Sequence, residues 1–213
     1  CVLATTEIFD LLKEKNIDFL SLPESNIDPL FTNINSTDEF FGTHGTSGGY
    51  AEYVFRKAAL ELFNVKVESV QFKPVKKSTD FQVVSLEVDG KTVLSFALAY
   101  GFRHIVNIAQ KLKRTKGKPY PYHFVEIMAC PSGCLNGGGQ IRAEKSETPS
   151  SLLRRVSDLY HNHKETIPEE NPEVNELYRL WFNGCFSPEA KTNLHTQYHA
   201  REKIKPHSLS IKW

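Results

Sequence analysis

The sequence has few cysteines, no long apolar run and almost no net charge, and each shortage removes a class of protein. Four cysteines, Cys1, Cys130, Cys134 and Cys185, are too few to staple 213 residues into a disulfide scaffold. A hydrophobic content of 40% makes staples unnecessary, since that length can bury one good-sized core or build two closely packed lobes. No apolar stretch approaches the about 18 residues that a membrane-crossing helix needs, and no charged, apolar, small-residue order marks a secretory leader. Lysine and arginine number 26 against 25 acidic residues, a net charge of +1, so the overall balance asks for neither nucleic acid nor an anionic membrane. Internal repeats and low-complexity tracts are missing as well. These absences lead to the expectation of a soluble intracellular protein. The opening Cys1-Val2-Leu3-Ala4 reads as chain already inside a fold, so part of any site is expected upstream of it.

What is present is an α/β pattern. Residues 6–15 place Ile8, Leu11 and Leu12 on one helical face, and Ile17 to Leu22 then reads as a short strand. Residues 23–46, rich in Asn, Asp, Ser, Thr and Pro, carry no period and predict a long surface connection. A helix is predicted from Gly48 onward over AEYVFRKAALELF. Strands follow near 67–75, 81–88 and 92–99, the last two joined as a hairpin at Asp89-Gly90. Residues 103–113 form another amphipathic helix, and a basic loop leads into a strand, HFVEIMA, that runs onto Cys130. Helices are predicted near 151–163, 172–182 and 188–200. The domain reading is an α/β lobe over 1–145, a helical part over 146–205 packed on it, and an exposed tail at 206–213.

The chemistry concentrates at Cys130-Pro-Ser-Gly-Cys134, which follows the strand and precedes Asn136 and three glycines. Thiolates are the soft ligands iron-sulfur clusters require, and three intervening residues let two of them grip one cluster from a single loop. Gly133 and Gly137 to Gly139 permit backbone N–H groups to turn toward the sulfurs, where hydrogen bonds tune potential. The plainer alternative is two buried thiols near a turn; zinc and dithiol sites usually have two intervening residues rather than three.

FVEIMACPSGCLNGGGQ, residues 124–140, resembles the third cysteine signature of the iron-only hydrogenases, with Ser132 where the bacterial enzymes usually carry glycine. The likeness extends to CVLATTEIFDLLKEKNIDF, FGTHGTSGGYAEYVFRKAA and LHTQYHAREK, in the family's order. The resemblance implies a hydrogenase large-subunit-like lobe with a mainly parallel sheet, helices on both faces and a C-terminal helical segment. It implies that Cys130 and Cys134 bind a 4Fe-4S cluster whose remaining ligands lie upstream. LHTQYHAREK and a terminal tryptophan look most like the family's eukaryotic branch. That branch implies a non-enzymatic adaptor in cytosolic iron-sulfur assembly, in the cytoplasm and also the nucleus, with the cytosolic targeting complex and apo iron-sulfur clients as partners. The alternatives are a genuine hydrogenase, in which the second cysteine also bridges to a two-iron subsite, and a prelamin A-binding member of the branch. The resemblance also assigns partner binding to Ile211 and Trp213, an aliphatic and an aromatic flanking Lys212, where a small or acidic residue is usual.

Other signals point less far. Gly42 to Gly49 enters a helix but fits neither common nucleotide fingerprint, and close packing is the commoner use of such glycines. His44 lies in that loop, where a solvent-facing role is the default. His195 and His199 have zinc spacing if one helix carries both, but no third ligand is evident. The basic run Lys111 to Lys118 lacks interleaved aromatics and reads as solvated rather than as a nucleic-acid patch. Neither a Ser/His/Asp set nor a paired general acid and base can be argued.

Overall fold

Asp89 and Gly90 both take positive φ, 52° and 74°, the twist a two-residue hairpin loop needs to match its strands. They close the longest ladder of the fold, β3 (Ser78–Val88) against β4 (Lys91–Tyr100), antiparallel with Val88 opposite Lys91 and a bulge between Leu86 and Glu87. This is a computed structural model, and it describes residues 2–26, 40–42, 48–76, 78–115, 117–162, 165–166 and 168–200. Cys1, His44, Ile211 and Trp213 lie outside the described residues.

The elements run α1 (Thr5–Glu14), β1 (Phe40–Phe41), α2 (Tyr50–Phe63), β2 (Lys73–Val75), β3, β4, α3 (Phe102–Thr115), β5 (Phe124–Met128), α4 (Pro149–His161), β6 (Glu165–Thr166), α5 (Pro172–Phe182) and α6 (Pro188–Leu194). The main sheet has the order β2-β3-β4-β5, and β1 pairs with β6 in a separate parallel ribbon. The α/β class stands, but the main sheet is mixed rather than mainly parallel. A tight turn forces β3 and β4 antiparallel, β2 also pairs antiparallel, and only β5, reached through the crossover helix α3, is parallel to its neighbour β4.

Helices cover both faces. Phe55 and Ala59 of α2 pack on Leu94 and Phe96 of β4, with the Phe55 and Phe96 rings edge to face at 5.2 Å and Phe124 stacked on Phe96 at 5.2 Å. Burying a phenylalanine of this kind contributes about 2–3 kcal/mol. Because side chains alternate along a strand, Ala97 and Ala99 face the other way, toward α3, whose Ile108 is buried. The chain divides into two compact units after Pro168. The first holds the sheet and α1 to α4; in the second, α5 packs with α6.

Three predicted elements differ. Ile17–Leu22 is not a strand: the Asp18 side chain accepts from the Leu20 N–H at 3.3 Å and sets a 3-10 turn, Phe19–Ser21. In 67–75 only Lys73–Val75 pairs; Val67, Val70 and Phe72 owe their apolar pattern to packing on the α2 core. The helix predicted over 188–200 stops at Leu194, and His195 is extended, so it does not share a helix with His199 and the zinc spacing loses its geometric basis. Weak helix formers, His, Thr and Tyr, follow that stop.

Candidate metal centre

Strand β5 ends at Met128, two residues short of Cys130, and its end is fixed from the side. The Gly101 N–H, between β4 and α3, donates to the Met128 carbonyl at 2.8 Å. Gly101 has φ 86°, and a Cβ there would lie 3.3 Å from the Pro131 ring, so the β4-α3 turn sits directly against the cysteine loop. The loop then tightens on itself. Ser132 and Gly133 have positive φ (59° and 75°), the Gly133 N–H donates to the Cys130 carbonyl at 3.1 Å, and Cys134–Asn136 forms a 3-10 turn. Asp80 of β3 accepts from the Ser132 N–H at 3.2 Å, and the Asn136 amide reaches the Pro131 carbonyl at 3.4 Å.

Both thiols therefore leave one braced turn, Cys130 half-buried and Cys134 exposed, neither in a disulfide. The glycines after them have separable reasons. A Cβ on Gly137 would lie 3.6 Å from Cys130 Sγ and 3.1 Å from the Cys134 carbonyl, so glycine keeps the space beside the sulfur open. A Cβ on Gly139 would lie 2.9 Å from that of Ala4, while the Gly139 carbonyl accepts from the Thr6 N–H; this glycine lets α1 dock on the loop. Among the described residues no group of three His, Cys, Asp or Glu side chains is placed to hold a metal. Two soft donors on a rigid turn, with room beside one sulfur, fit half of a four-thiolate cluster site.

Beneath the loop lies a polar network that the sequence reading missed. Glu126, in the middle of β5, is only 6% exposed. Its two carboxyl oxygens accept from the Ala51 N–H at the start of α2 (2.7 Å) and from the Tyr100 hydroxyl of β4 (2.7 Å). Burial first, then the hydrogen bond and charge of Glu126, and last the charge of Cys134 hold the Tyr100 phenol well above its ordinary range, so it remains a donor. A Cβ on Gly48 would fall 1.9 Å from the Glu126 carboxyl oxygen, which explains the glycine ahead of α2. The available signal was a lone acid inside an apolar strand, FVEIM, which burial makes costly unless it is partnered.

The family model for the iron only hydrogenase large subunit, C-terminal domain, matches residues 1–138. The chain belongs to this family. A second model, for the iron hydrogenase small subunit, matches residues 149–201. Among curated proteins, the chain is 50% identical over 220 residues to the probable cytosolic Fe-S cluster assembly factor narfl of Dictyostelium discoideum, which covers 100% of this chain and 42% of that protein. It is 48% identical over 213 residues to cytosolic iron-sulfur assembly component 3 of Mus musculus, covering 100% of this chain and 44% of that protein. It thus spans less than half the length of these relatives. Among solved structures, an apo FeFe-hydrogenase from Chlamydomonas reinhardtii superposes with a TM-score of 0.66 at 24% identity, covering 91% of this chain and 53% of that one. That likeness shows a shared fold.

Proposed function

We propose that this chain is the cluster-holding lobe of a non-enzymatic iron-sulfur protein, an adaptor in cytosolic iron-sulfur cluster assembly that delivers clusters to apo cytosolic and nuclear proteins. The observation that carries the reading is the match along the whole of this chain, at about half identity, to proteins named as cytosolic assembly factors, against 24% to a hydrogenase of the same fold. In this reading Cys130 and Cys134 are two ligands of a 4Fe-4S cluster, and the other ligands come from chain outside this sequence. The cluster supplies a transferable or redox-active centre. The chain's own contribution is rigidity: a loop braced by Asp80 and the Gly101-Pro131 contact, beside an opening at Gly137. Ile211 and Trp213 are the contact to the cytosolic targeting complex. The word cytosolic in the relatives' names supports a cytoplasmic location.

The shared fold favours one second reading, a hydrogenase in which Cys134 also bridges to a two-iron subsite. The complete gene product, purified without oxygen, separates the two. We expect cubane-type absorption with bound iron and sulfide, much of it lost in Cys130→Ser or Cys134→Ser, and no hydrogen evolution from a low-potential donor even after treatment with hydrogenase maturation enzymes. Full iron retention in the double variant would overturn the ligand assignment, and hydrogen turnover would make the protein an enzyme.

A further inference from the structure

The basic run that reads as a solvated loop is, at its start, one wall of a cleft. Helix α3 lays Arg103, Asn107, Gln110, Lys111 and Arg114 along a hollow of about 640 Å³ closed on its far side by Lys76 and Phe81. We propose that this cleft is a docking site for an extended acidic peptide segment of a partner protein.

Charge is the first reason. Arg103, Lys111, Arg114 and Lys76 line the cleft, no carboxylate among the described residues does, and none of the four makes an ion pair with a described residue. In a chain of net charge +1 such a concentration is local, and it creates a field that attracts an anionic partner. Shape is the second. From Arg103 to Arg114 the helix rises about 16 Å, the reach of about five extended residues, with cations at both ends and amides at the middle. Cations spread over three turns suit carboxylates distributed along a strand better than one compact phosphate. The floor is the third. Phe81, Val75 and the buried Ile108 give an apolar base on which alternate side chains of such a peptide can rest.

A single-stranded nucleic acid is the competing polyanion, and the aromatic geometry disfavours it. Bases need an open ring face to stack on. Phe81 is already stacked on His104 (centroids 5.4 Å, 19°) and meets the edge of Tyr122 (5.9 Å), while His104 lies 3.3 Å from the Ser78 hydroxyl. The surface lies on the α3 face of the sheet, and its test does not depend on a bound cluster.

The experiment is fluorescence anisotropy on the complete protein with a labelled peptide, Glu-Leu-Asp-Glu-Val-Asp, and with a ten-nucleotide oligothymidylate. The peptide is expected to saturate and to lose affinity as salt rises. Arg103→Gln/Lys111→Gln/Arg114→Gln should weaken it at least about tenfold, and the single variants Arg103→Gln and Arg114→Gln should each weaken it less. A control neutralising the exposed Lys66, Lys91 and Lys145 should leave binding unchanged. Circular dichroism separates lost binding from lost fold, and the single variants serve if the triple one unfolds. No saturable peptide binding, equal losses in the control, or tighter binding of the oligothymidylate would each overturn the proposal.

Discussion

Tyr100 shows how one side chain reports on the whole site. Its hydroxyl donates to Glu126, its ring lies in β4, and the charge of Cys134 acts on it, so it connects the buried acid to the cysteine loop. An ordinary tyrosine ionises near 10.0, and burial with the neighbouring acid raises this one. The folded protein therefore holds the phenol proton more tightly than the unfolded chain. Stability from this group is fully present below pH about 10 and is lost as pH rises beyond it, because only the unfolded chain releases the proton readily. Denaturant unfolding between pH 8 and 11 should show a decline at the alkaline end that Tyr100→Phe flattens, at the cost of the hydrogen bond at neutral pH. An identical alkaline slope in both proteins would mean the phenol titrates normally. Ser132 makes the converse point about sequence and backbone: it occupies a left-handed φ of 59°, a region where glycine carries no Cβ penalty. Its N–H bond to Asp80 helps hold a conformation its side chain disfavours.

At the scale of elements, α2 meets the sheet across a contact with no room to spare. The Gly48 position lies against the Glu126 carboxyl and the Met128 methyl, so Gly48→Ala must push the acid away from the Ala51 N–H and the Tyr100 hydroxyl. We expect a loss of about 3 kcal/mol, overpacking added to two broken buried hydrogen bonds. Chemical denaturation with an unchanged slope would check it, and a loss under about 0.5 kcal/mol would show that the helix start simply shifts. Elements specified by local signals were legible in the sequence: the Asp89-Gly90 hairpin, the apolar face of α2, and α5, which begins at Pro172 after the Asn171 cap. Those that depend on distant partners were not. Whether Val67 to Phe72 pairs or merely packs is decided by the α2 core, and the parallel addition of β5 to β4 depends on the crossover through α3. The two thiols of the candidate site were legible from their spacing, whereas the Glu126-Tyr100-Ala51 network unites three elements and Asp80 reaches the loop from a fourth.

At the scale of the whole molecule, the buried apolar core among the described residues is small: Phe55, Leu94, Phe96 and Ile108 are its large members, and the rest are alanines. A lobe of this kind gains much from whatever binds it, since any ligand or partner specific to the folded state adds its own binding free energy to stability. If the protein hands clusters on, recognition must also reach beyond the metal. The chain ends in Ile211-Lys212-Trp213. A tryptophan seated in a partner pocket contributes about 2 kcal/mol or more. Lys212 works against this, placing a cation where the pattern usually has a small or acidic residue, so an acidic residue there should strengthen the contact. We therefore expect deletion of Trp213 to weaken binding to the purified cytosolic targeting complex by at least about tenfold, and Lys212→Glu to tighten it, while melting temperature and iron content stay unchanged in both. Titration calorimetry with the intact and altered proteins measures each effect. Equal affinity for the intact and truncated forms would remove the terminus from recognition and leave the clefts and faces of the folded lobe to provide it.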